Sequence, residues 1–202
     1  MSTDTEVTES MRAVGDLAPV EIPSVVETIF AVTGASAVRG ALGTVYFSMT
    51  TFTEPPLVVL DYDLKPIETA LPTYLDEVTA RLTALRSGFR VVSYPEDIAL
   101  YVEPAGLGSV VLLEAQKHGH DVREIGEDIC ALKLEERATP ALVRLHAGMV
   151  KFAHAAFEKT VNFRGTAANH LRRQISEHTP EQRADTAELL MAWCAGILQA
   201  LP

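Results

Sequence analysis

The tightest constraint on this chain is the order in which two hydrophobic rhythms follow one another. The first part carries short extended runs. "TIFAVTGASAVRGALGTVYFSMTTF" reads as strand, Gly-rich turn, strand, with β-branched and aromatic residues on either side of small ones. "PPLVVLDYDL" reads as a third strand, with Pro55 and Pro56 ahead of it. From Leu71 the rhythm changes. Leu71, Tyr74, Leu75, Val78, Leu82 and Leu85 recur at steps of three and four, so they share one helical face, and Gly88 stops that helix.

Strands and helices then alternate. "IALYVE" is a short apolar strand whose lack of alternation implies burial on both faces. A helix is expected from about Ser109 to Gly119, and "DVREI" is a fifth strand. Further helices are expected over Glu135–His146, around Ala167–Glu177 and from about Asp185 to Ala200, with "MVKFA" extended between the first two. The first three strands suit an antiparallel meander. The fourth and fifth are reached through helices and should run parallel to the first. The sum is an α/β fold with a central mixed sheet of five or more strands and helices on both faces, the ribonuclease-H-like layout. In it the third strand lies at an edge. Residues 1–24, polar and rich in proline, are expected to form a flexible tail, and 25–202 one domain.

Composition narrows the function. A chain of 202 residues, nearly half of them hydrophobic, can bury a sizeable core. No apolar run reaches the ~20 residues of a membrane span. The start "MSTDTEVTESM" lacks the basic and apolar segments of a signal peptide, so a cytoplasmic protein is expected. Cys130 and Cys194 sit in apolar surroundings without zinc-ligand spacing and are expected as reduced thiols. A formal net charge of −10 disfavours a general nucleic-acid binder, although "NHLRRQ" is a local basic patch. No phosphate-loop or nucleophile-elbow motif occurs.

In a sheet of this kind ligands collect beyond the C-terminal ends of parallel strands, and Glu103 ends the central fourth strand. Taken alone, an acid before glycines is better explained as a solvated turn cap. Asp61 and Asp63 in "VLDYDL" share one strand face and are read as marking the strand end before Pro66. "HGHD", from His118 to Asp121, is read as a polar turn, and Trp193 as core.

Several segments in sequence resemble the C-terminal nuclease domain of the large terminase subunit of tailed phages. "LYVEPAGLGSVVLLEAQKHGHDV" is similar to its strand, Glu, Gly-containing turn and helix. "LKLEERATPALVRLHAGMVKFA" resembles the segment in which a Lys and an Arg precede a helix that ends in Gly. "AFEKTVNFRGTAANHLRRQI" resembles the next, where Asn-His-Leu opens a helix, and "DTAELLMAWCAGILQAL" the closing helix. The likeness runs over roughly residues 27–200.

It implies a metal-dependent endonuclease that cuts double-stranded DNA during genome packaging, beside a packaging ATPase or other terminase component, as a stand-alone protein or a fragment. Glu103 would be the central ligand of Mg2+ or Mn2+. Asp185 or Glu188 would supply a second carboxylate, and water would attack. Lys133 and Arg137, with Arg172 and Arg173, would meet phosphates. One departure stands out. The family ends its first strand on a metal-binding Asp, and the corresponding residue in "IFAVTGAS" is Thr33. The alternative is a degenerate module that binds a packaging-motor component, another protein or DNA without cutting it.

Overall fold

A computed structural model describes residues 19–69, 71–92, 99–179 and 186–201. Three long strands dominate it: β3 (Thr28–Ser36), β4 (Ala41–Met49) and β5 (Leu57–Pro66). They pair as the expected antiparallel meander, Thr28–Ser36 running against Met49–Ala41 without a break. The short strand β7 (Leu100–Val102) lies parallel to β3, and β8 (Val122–Glu124) parallel to β7. The order β5-β4-β3-β7-β8 is the ribonuclease-H-like arrangement.

The sheet is wider than those five strands. The expected extended segment, β9 (Val150–Ala153), runs parallel to β5, and β1 (Pro19–Val20) runs parallel to β9. The sheet therefore has seven strands, in the order β1-β9-β5-β4-β3-β7-β8. Two expectations need correction. β5 is an inner strand, not an edge. Pro19 and Val20 belong to the sheet rather than to a tail, while residues 1–18 lie outside the described residues. A separate parallel pair joins β2 (Val25–Val26) to β6 (Arg90–Val91).

Helices cover both faces. On one lie α1 (Leu71–Ser87) and α2 (Leu107–His118). They bury Tyr74, Leu75, Val78, Leu82, Val111 and Leu112 against Ile29, Ala31, Leu42, Tyr46 and Val102. The short α3 (Glu127–Cys130) precedes α4 (Leu134–His146), α5 (His154–Glu158), α6 (His170–Ser176) and α7 (Glu188–Ala200). On the opposite face α4 and α7 set Leu134, Ala138, Ala141, Leu189 and Trp193 on Phe30, Val32, Val45 and Phe47. Trp193 is fully buried, as expected, and Phe30 stacks on Phe47 with ring centres 5.0 Å apart.

The sequence pattern extends one helix too far. Before α6 the chain forms a hairpin of β10 (Val161–Phe163) and β11 (Thr166–Ala168), so Ala167 and Ala168 are strand rather than helix. Among the described residues no helix is long and apolar enough to cross a membrane.

Candidate functional site

Side chains on a strand alternate between faces, and this decides which residues can meet at the sheet's C-terminal edge. In β7, Leu100 and Val102 pack into the α1/α2 layer, while Tyr101 turns to the α4/α7 layer and meets Phe30 edge-on. Glu103 follows, and its carboxylate lies in the α4/α7 layer as well. Val102 is opposite Thr33 in register, so Glu103 sits directly past the end of the β3–β7 pairing, as expected.

What Glu103 meets there is Arg137. Arg137 Nη1 donates to Glu103 Oε2 and Nη2 to Oε1, both at 2.8 Å, a bidentate pair. Arg137 also donates from Nε to Leu132 O and from Nη2 to Cys130 O, each at 2.9 Å. Arg137 is 3% exposed, and its guanidinium is fixed by two main-chain carbonyls. Burial alone pulls its pKa down, but the hydrogen bond and charge of Glu103 outweigh that and leave it raised. Arg137 is thus a partner of Glu103 and is not presented to solvent phosphates.

Glu188 opens α7 in the same layer and is completely buried. Its Oε1 accepts from Gln174 Nε2 at 3.1 Å and pairs with Arg39 Nη1 at 3.2 Å. Its Oε2 has no hydrogen-bond partner. Gln174 Oε1 accepts from the N–H groups of Leu189 and Leu190, both at 3.0 Å, and so caps the first turn of α7. The turn rests on bare backbone. Gly34 and Gly43 face each other across β3 and β4, and a Cβ on Gly34 would lie 2.2 Å from the main-chain O of Glu188.

Thr33, the residue aligned with the family's Asp, points the other way. Its Oγ1 is 3.0 Å from Thr44 Oγ1 and 2.7 Å from Tyr74 OH, in the α1 layer. Thr44 Oγ1 is 2.5 Å from the same Tyr74 OH. Burial pushes the Tyr74 phenol up to about 12, against the hydrogen bonds of the two threonines. An acid at position 33 would face Tyr74, not Glu103. The position that turns towards the Glu188 layer is Gly34, and no side chain fits there.

The remaining basic residues divide. Lys133 is exposed where α4 starts, and its main-chain N–H donates to Glu136 Oε2 at 2.7 Å. Arg172 lies 3.9 Å above the Phe157 ring and donates to Phe157 O at 3.2 Å, turned inward. Arg173 is half exposed and pairs with Glu177 at 3.0 Å. Asn169 accepts from Arg172 N and opens α6, as the Asn-His-Leu reading required. Asp185 lies outside the described residues. Among the described residues, no group of three or more His, Cys, Asp or Glu side chains is placed to hold a metal ion. With both oxygens of Glu103 bound by a buried arginine, the described residues do not fit a two-metal centre.

Two features escaped the sequence reading. Asp61 and Asp63 do not mark the end of β5; they lie within it, opposite Tyr46 and Thr44. Lys159 Nζ donates to Asp61 Oδ1 at 2.8 Å, Asp63 Oδ1 at 3.0 Å and Tyr62 O at 2.5 Å. Arg81 pairs with Asp61, and Tyr46 donates to Asp63 Oδ2 at 2.9 Å. Burial first, then the Asp63 charge, pushes the Tyr46 phenol up. The i, i+2 spacing of the acids was visible, but their cations come from residues 20 and 98 positions away from Asp61. The second feature is a 580 Å³ cleft between the β3–β4 turn, the hairpin and α6, lined by Arg39, Phe163, Arg164, His170 and Arg173. "NFRGT", strand residues around Arg-Gly, was the hairpin signal.

The "HGHD" reading stands as a polar turn: His118 pairs with Glu114 at the end of α2, and His120 lies 3.4 Å from both Asp76 and Thr79. Both cysteines are free thiols.

No protein-family model matches the sequence, and a search of curated proteins found no relative. Solved structures do match. The human cytomegalovirus terminase nuclease domain is similar at TM-score 0.53 and 11% identity, over 98% of this chain and 95% of that one. The manganese-soaked form of that domain gives 0.53 and 9%, over 86% and 83%. The large terminase nuclease from thermophilic phage G20c with bound zinc gives 0.49 and 12%, over 95% and 98%. The two cytomegalovirus structures establish the fold: the chain has the ribonuclease-H-like architecture of terminase nuclease domains.

Proposed function

We infer that this chain is a terminase-type module that binds DNA in genome packaging without cutting it by two-metal hydrolysis. One observation carries the reading: Glu103, the acid at the expected metal position, is held at both oxygens by the buried Arg137. A divalent cation would have to displace a guanidinium that two carbonyls also fix, which leaves that charge buried and unpaired. Support comes from Gly34 as well, where the first turn of α7 fills the space an acid would need. Glu188 adds a single carboxylate, fully buried and already paired with Arg39.

A second reading, a divalent-metal endonuclease, is favoured by Glu103 and Glu188 sharing one layer at the C-terminal edge and by the manganese named for the similar cytomegalovirus structure. Mg2+ or Mn2+ would then be held by Glu103, Glu188 and Asp185. The two readings part in a plasmid-nicking assay with each metal. The binding module predicts no cutting by the unmodified chain, while a labelled duplex is still retained in a gel shift. Strong magnesium-dependent cutting, abolished by Glu103→Gln, would overturn it in favour of the enzyme.

A further inference from the structure

We propose that the cleft between the β3–β4 turn, the β10–β11 hairpin and α6 is a phosphate-binding site. Three arginines from three separate elements converge on it in a chain whose formal net charge is −10: Arg39 from the turn, Arg164 from the hairpin tip and Arg173 from α6. The guanidinium carbons of Arg39 and Arg164 lie 5.7 and 5.4 Å from the centre of one ring, Phe163. Gathering like charges on one ring is unfavourable by itself and becomes favourable with an anion between them. The volume suits a nucleotide-sized ligand or a stretch of backbone.

The backbone at the tip carries an independent signal. Arg164 and Gly165 have φ of 50° and 82°, both in the left-handed region. A two-residue hairpin turn with both φ values positive normally takes Asn-Gly or Gly-Gly. Arginine at the first position is strained. Besides the Phe163 ring, its guanidinium has a 3.4 Å pair with Glu68 and a 3.4 Å contact to Gly40 O, both exposed. The base of the hairpin, by contrast, is fixed. His170 Nε2 lies 3.0 Å from Val161 O and 3.1 Å from Thr166 O, clamping both strands.

Each arginine has an acidic partner, and these do not close the site. The Arg164–Glu68 and Arg173–Glu177 pairs are exposed and of the kind that contributes little. A phosphate, which accepts two parallel N–H bonds from a guanidinium, competes well with such pairs. Arg39 keeps Glu188 through Nη1 while its side chain remains 30% exposed.

The phosphate could belong to the backbone of duplex DNA or to a free nucleotide. The first source rests on the DNA-binding reading above; the second does not. The test measures binding of a short fluorescein-labelled duplex by anisotropy, and of a mononucleotide by calorimetry. The proteins are the unmodified chain, Arg164→Asn, Arg173→Ala and Lys117→Ala, the last at an exposed lysine of α2 paired with Glu114. Arg164→Asn relieves the left-handed strain, so it should melt no lower than the unmodified chain. Arg164→Asn and Arg173→Ala should each bind about tenfold more weakly and lower the salt dependence by about one ion, and Lys117→Ala should change nothing.

Nucleotide binding that the arginine variants lose, without duplex binding, would uphold the cleft and overturn the DNA reading. Duplex binding that none of the arginine variants weakens would overturn the cleft and uphold that reading. Binding of neither ligand would overturn both.

Discussion

Thr33 and Gly34 are neighbours in one strand, and their surroundings are opposites. Thr33 closes a trio of hydroxyls with Thr44 and Tyr74 on the α1 face. Gly34 offers only backbone to α7 on the other. In the family this chain resembles, an acid at the end of this strand is a principal metal ligand. Here both sides of the strand end are filled. One side satisfies its polar groups among themselves. The other has brought a helix down so close that no side chain fits. The difference teaches that a carboxylate at either position would meet packed groups, the hydroxyl trio on one face and the α7 backbone on the other.

The strongest way to break that contrast is Gly34→Asp. Its Cβ would fall 2.2 Å from a main-chain oxygen that belongs to a buried helix and cannot swing aside. Overpacking costs about 1–3 kcal/mol where side chains can adjust, and more is expected here, above about 3 kcal/mol. Thr33→Val, which keeps the shape on the opposite face and removes one hydroxyl, should cost about 1–2 kcal/mol. Urea unfolding of both measures the comparison. Equal losses would mean that α7 can move and that the Gly34 side is not closed.

Next in size is the Arg137–Glu103 pair. Arg137→Met leaves a carboxylate that is 19% exposed without its counter-charge. A loss of about 3 kcal/mol is expected, at the lower end for breaking a buried pair because Glu103 retains some solvent. Adding Glu103→Gln to that variant should recover much of the loss, since the uncompensated charge disappears. A double-mutant cycle by chemical denaturation reads the coupling directly. Coupling near zero would show that the pair does not hold the site, and the endonuclease reading would gain.

How much of this was legible in the sequence follows from what each signal needs. The β3–β4–β5 meander and α1 were readable because long segments repeat a period several times. β1 and the two hairpin strands have two or three residues each, too few for a period to show. Glu103 was found from its place at a strand end. Arg137 was identified as well, yet its role was inverted. Sequence spacing gives a helix position, but whether a guanidinium reaches out to a ligand or inward to an acid 34 residues earlier depends on packing. The same limit hid Lys159, whose three oxygen partners lie almost a hundred residues back. The side on which Thr33 stands was derivable from strand alternation once the register was known, and only then.

The smallest expected effect separates the two faces by pH. Tyr74 is protonated and neutral in its hydroxyl trio, and burial raises it from an ordinary phenol value near 10 to about 12. Above pH 10 the unfolded chain therefore loses that proton more readily than the folded one. Stability contributed by this group is fully present below pH 10 and falls as pH rises from 10 towards 12, by up to about 2–3 kcal/mol if the shift is fully expressed. Tyr62, raised to about 12 chiefly by burial, adds to the same decline. Tyr74→Phe removes one titrating group from the α1 face and touches nothing around Glu188. Urea midpoints at pH 8, 10 and 11 should fall less steeply in Tyr74→Phe than in the unmodified chain. At pH 8 the variant should be lower by about 1 kcal/mol, for the lost hydroxyl contacts. Identical pH slopes in the two proteins would show that the Thr33–Thr44–Tyr74 trio is solvated, and the contrast between the two faces would then lose its polar side.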